Sequence, residues 1–65
     1  MNKEELKGKW NQLKGSIKSR WGKLSDDDIQ RIEGEKDKLV GKVQEKYGRS
    51  REEAEKEVDD FTTRH

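Results

Sequence analysis

The chain has 65 residues, 48% of them charged, and no cysteine. That allows one small domain and excludes a disulfide framework and thiolate chemistry. The formal net charge is +1, the mean hydropathy is −1.55, and no apolar run approaches the roughly 20 residues of a membrane span. Leu, Ile, Val and Phe total only 11 residues, below the share of about 20% at which disorder becomes an alternative. A folded but marginal single domain over 1–65 is expected, with disorder until a partner binds as the competing state.

The opening "MNKEELKGKW" has no apolar core and no cleavage site, so no secretory leader is expected and a cytoplasmic location is inferred. Leu6, Trp10, Leu13, Ile17 and Trp21 follow at spacings of 4, 3, 4 and 4. That periodicity predicts an amphipathic helix over 3–21, closed by Gly22. Ser25 before Asp26, Asp27 and Asp28 is a helix start, because the serine oxygen meets free N–H groups and acids favour the positive dipole end. A second helix is predicted over 26–33 and a third over 35–47, with Leu39, Val43 and Tyr47 as the stripe and Gly48 as the stop. Whether these two are one helix bent at Gly34 is open at this level. Ser50 and Glu53 read as a capping box. Ala54, Val58 and Phe61 then predict a fourth helix over 51–62.

A shift of 26 residues superimposes the two halves. Gly8, Gly15 and Gly22 land on Gly34, Gly41 and Gly48. Leu6 lands on Ile32, Leu13 on Leu39, Ile17 on Val43 and Trp21 on Tyr47, whereas Trp10 meets Lys36. The expected fold is all-α: four helices as two hairpins packed across each other, with an internal quasi-repeat and with Trp21 and Tyr47 as equivalent core residues. Gly15 and Gly41 lie two residues from stripe members, about 200° around a helix. They are therefore expected on outward faces, not at close helix contacts in the core. Gly34 is read as a bend.

Charge is uneven. Met1 to Ser25 carries +5 and Asp26 to His65 carries −4. Lys7, Lys14 and Lys18, with Lys3 and Lys9 nearby, make a basic flank on the first helix. Together with Gly8, Gly15 and Gly41, the residues Lys7, Lys14 and Lys18 are the candidate interaction surface. The near-zero total charge argues against tight nucleic-acid binding. Consecutive aspartates at 26–28 point about 100° apart on a helix and do not converge on a cation. Trp10, Trp21 and Tyr47 sit on apolar stripes, which favours core packing over base stacking. His65 is the only histidine, and no nucleophile–base pair stands out. No catalytic residue, metal site or cofactor is assigned, and the protein is expected to be a monomer and not an enzyme.

Several runs resemble one family closely: "WGKLSDDD" at 21–28, "IEG" at 32–34, Asp37, "LVGKVQEKYG" at 39–48 and "AEKEV" at 54–58. Trp10, Gln12, Lys14 and Gly15 join them. The chain is similar over nearly its whole length to the CsbD-like family of small bacterial stress-response proteins. The resemblance implies a small all-helical protein induced in general stress, with no assigned catalytic residue, no cofactor and no established partner.

Overall fold

A computed structural model describes residues 3–64; the side chains of residues 3–5 and 64 lie outside the description. It is all-helical, with five helices where the periodicity predicted four: α1 (Lys3–Gly8), α2 (Trp10–Arg20), α3 (Asp26–Ile32), α4 (Lys36–Tyr47) and α5 (Arg51–Arg64). Each helix packs on the next in the chain, and α4 with α5 most extensively.

The extra helix comes from a kink at Lys9. Its backbone leaves helical geometry at φ −99° and ψ 7°, while its carbonyl accepts from the Gln12 and Leu13 N–H groups at 3.0 Å each. Gly8 stands beside the kink, where a helix is easiest to interrupt. Both sides still bury apolar residues, Leu6 from α1 and Trp10 and Leu13 from α2. The stripe therefore runs through the kink, which is why spacing alone does not reveal it.

The second and third predicted helices are separate. Glu33 (φ 52°) and Gly34 (φ 77°) are both left-handed, and the Glu35 N–H closes the turn on the Ile32 carbonyl at 3.0 Å. Gly34 is more than a bend. It is buried, and a Cβ there would stand 2.9 Å from Lys7 Cα and 3.4 Å from Trp10 Cβ. The reading of Gly34 as a bend alone is thus corrected: α1 crosses the α3–α4 turn there nearly backbone to backbone.

Ser25 and Asp28 form a full capping box at the start of α3. Ser50 caps α5 by accepting the Glu53 N–H at 3.2 Å, but Glu53 bonds the Ser50 hydroxyl at 3.1 Å. Gly48 ends α4 in a left-handed conformation, as expected of a helix stop. Gly22 follows α2 without positive φ; there the chain turns through a 3.0 Å bond from the Leu24 N–H to the Trp21 carbonyl.

One core gathers both stripes with Leu24, Ile29, Val40, Ala54, Val58 and Phe61. Trp21 is 1% exposed, with its ring tilted 56° against Phe61 at 5.2 Å. Tyr47, its expected equivalent, is only half-buried and packs against the edge of the core. Its hydroxyl accepts the Lys23 N–H at 3.1 Å, and Lys23 and Arg49 lie over its ring at 5.1 and 5.9 Å. Among the described residues no helix is long and apolar enough to cross a membrane.

Candidate interaction face

Five of the six candidate residues come together. Lys7 and Gly8 from α1, and Lys14, Gly15 and Lys18 from α2, line an open trough against α3. Its wider end, of about 450 Å³, is bounded by Lys7, Gly8, Trp10, Asn11, Lys14, Gln30 and Glu33. Its other end, of about 390 Å³, is bounded by Lys14, Gly15, Lys18, Asp26, Ile29 and Gln30. Gly41 lies apart, in a groove between α3 and α4 with Arg31, Lys38 and Glu45. The side chain of Lys3 and the whole of His65 fall outside the described residues.

The glycines shape both grooves. Among the described residues, a Cβ built at Gly8, Gly15 or Gly41 meets nothing within 4 Å, so no close packing against them demands glycine there. Gly15 and Gly41 flank α3 from opposite sides, since α3 packs between α2 and α4. Their outward placement follows from the 200° argument; the grooves follow from the helix between them.

Electrostatics distinguish the walls of the trough. Lys18 pairs with Asp26 across its narrower end. Lys7 and Lys14 on one wall and Glu33 on the other form no ion pair among the described residues, and all three are exposed. Elsewhere charges are largely paired within the chain. Arg49 and Arg20 meet Glu57, whose Oε1 also accepts the Trp21 Nε1–H at 3.4 Å. Lys36 meets Asp59, and Arg51 meets Asp37 and Glu55. The acidic wall is what sequence reading missed: Gln30 and Glu33 carry no local signal, because they join the site only through the turn that sets α3 beside α2.

The three consecutive aspartates separate as their helical angles require. Asp26 meets Lys18, Asp27 meets Arg31 at 3.0 Å, and Asp28 turns inward. The Asp28 carboxylate accepts the Ser25 N–H at 3.0 Å and faces Lys42 at 3.4 Å and Lys46 at 3.6 Å. The Ser25 backbone bond is the largest influence on it. Partial desolvation opposes, while the Ser25 hydroxyl and the two lysines add, and the net effect lowers its pKa from 3.8 to about 2. Asp28 thereby ties the start of α3 to α4. Trp10 and Trp21 are buried in the core, and Trp10 also bounds the wider end of the trough.

Comparison with known proteins agrees with the motifs. The profile of the family described as CsbD-like matches residues 4–56. The chain is 57% identical over 65 residues to the UPF0337 protein YjbJ of Escherichia coli strain K12, covering 100% of this chain and 94% of that one. It is 58% identical over 64 residues to the UPF0337 protein PA4738 of Pseudomonas aeruginosa, covering 98% of each. It is 52% identical to the UPF0337 protein ECA0631 of Pectobacterium atrosepticum, covering 100% of this chain and 94% of that one. With a profile match over most of its length and relatives this similar from end to end, the chain belongs to the CsbD-like family.

Proposed function

We propose that this protein is a non-enzymatic, cytoplasmic stress-response protein that acts as a helical interaction module, with the α2–α3 trough as its contact face. The observation that carries this reading is the unpaired set Lys7, Lys14 and Glu33 around one trough, on a fold that pairs most of its other charges internally. A chain needed only as a hydrophilic solute has no use for caps, a shared core and a shaped face. Tight nucleic-acid binding does not fit, because Asp26 and Glu33 stand on the wall opposite the lysines and would repel a continuous phosphate backbone. The stress setting comes from the family resemblance.

A second reading is a hydrophilic, conditionally folding protectant against osmotic or desiccation stress. It draws on the 48% charged composition and on the absence of large exposed apolar side chains among the described residues. Cells carrying the parent chain or Lys7→Glu/Lys14→Glu, with equal expression and equal helicity, separate the two after osmotic or drying stress. The interaction reading expects lost protection with the fold intact. Unchanged protection transfers support to the protectant reading.

A further inference from the structure

The wider end of the trough carries both signs of charge without joining them. Lys7 and Lys14 stand on the α1–α2 wall and Glu33 on the α3 side, around one opening, yet no ion pair links them within the chain. Such a face is complementary to itself. A two-fold axis lying in the contact plane and running along the trough lays the lysine wall of one copy on the acidic side of the other. Both ends of the contact are then satisfied by the same exchange, as an isologous interface requires. We propose that the partner this face takes is a second copy of this chain, joined in a two-fold dimer by reciprocal pairing of Lys7 and Lys14 with Glu33. The proposal rests on the interaction reading above and supplies its partner.

The observations favour a second copy over other anionic or cationic partners. A polyanion gains from the lysines but meets Glu33 at the same opening; a polycation meets the converse. Only a surface with the same two rows in matching order satisfies both. The open space at Gly8 and Gly15 lets the facing helices approach without side chains between them. No large apolar side chain is exposed among the described residues, so little hydrophobic area drives the contact. Association is therefore weak, reversible and weakened by salt, because exposed ion pairs contribute little each and are screened. The chain is a monomer when dilute and a dimer when concentrated.

Sedimentation equilibrium across protein concentration, at low and at high ionic strength, tests this with three samples. The parent is expected to dimerise at low salt and to dissociate as salt rises. Lys14→Glu alone sets acid against acid, and Glu33→Lys alone sets lysine against lysine. Each is expected to weaken dimerisation about tenfold or more, because Lys14→Glu turns two attractive contacts repulsive and Glu33→Lys turns four. Mixing the two variants makes both contacts between positions 14 and 33 attractive again, with one Lys7 left facing a lysine at position 33, and is expected to restore dimerisation in large part as a mixed pair. Circular dichroism melts of each variant guard against a folding effect, and the mixture provides a gain that unfolding cannot imitate. The proposal fails if the parent stays monomeric at millimolar concentration and low salt, or if either reversal leaves its association unchanged. It fails equally if the mixture does not associate. A monomeric parent whose Lys7→Glu/Lys14→Glu variant still loses protection in cells would sink the dimer and leave the interaction reading standing.

Discussion

The two half-copies of this chain end differently. Trp21 closes the first from inside the protein, 1% exposed, against Phe61 and Glu57. Tyr47 closes the second from the surface, with its hydroxyl on the Lys23 backbone and cations over its ring. The glycines diverge in the same way. Gly8 has open space around it, whereas Gly34, its equivalent by the 26-residue shift, lies left-handed beneath α1. Yet the helix breaks themselves correspond, since the shift carries Lys9, which precedes α2, onto Glu35, which precedes α4. The helix break is shared by the two copies at Lys9 and Glu35, while what the surrounding positions touch is decided by which other segment packs there. α5 follows the second copy and covers the end of the first.

The largest expected difference separates the two aromatics. Trp21→Ala removes a fully buried ring and is expected to cost about 3–5 kcal/mol, enough to unfold a domain this small. Tyr47→Ala is expected to cost about 1–2 kcal/mol, because only part of its surface is withdrawn from water. Thermal melts followed by circular dichroism decide it; equal losses at both positions would erase the asymmetry. Next come the paired glycines. Gly34→Ala faces a left-handed backbone and a Lys7 Cα at 2.9 Å, and is expected to destabilise by about 2–4 kcal/mol. Gly8→Ala meets no obstacle and is expected to be neutral or to stabilise by up to about 1 kcal/mol. A tolerated alanine at Gly34 would mean that α1 does not rest there.

The serine caps give a smaller contrast. Ser25→Ala is expected to cost about 1 kcal/mol, and Ser50→Ala less, since Glu53 leaves the Ser50 backbone N–H unbonded by its carboxylate. The Ser25 cap also brings a pH dependence. The Asp28 pKa is lower in the folded chain, at about 2, than the ordinary 3.8. The unfolded chain therefore binds the proton more readily as pH falls. The stabilisation by Asp28 is complete above about pH 5 and lost progressively toward pH 2. Acid titration of the parent against Asp28→Asn checks this: the variant is expected to lack that part of the acid transition, and an identical acid limb would contradict the assignment. The smallest effects have the opposite sign. Gly15→Ala and Gly41→Ala are each expected to stabilise the monomer by up to about 1 kcal/mol, because alanine is the better helix former and both sites are open. Destabilisation at either would show that the groove beside α3 is narrower than its backbone implies.

The stripes were legible in the sequence because helical burial repeats with the helix. Leu13, Ile17, Leu39, Val43, Ala54, Val58 and Phe61 all entered the core their spacing assigned. The Ser25 start and the Gly48 stop were legible because caps act within one turn. The outward direction of Gly15 and Gly41 followed from 3.6 residues per turn alone. Half of the candidate face was legible too, as a lysine flank on one helix. The kink at Lys9, the close approach at Gly34, the partial exposure of Tyr47 and the placing of Gln30 and Glu33 beside Lys14 were not. Each depends on which distant segment arrives at a position, and local periodicity carries no information about that. Spacing and caps therefore determined where helices form and which way their faces point. Only the tertiary packing of α1 over the α3–α4 turn, α3 beside α2, and α5 against the end of the first copy decided which glycine is indispensable, which aromatic is buried and where opposite charges share one trough.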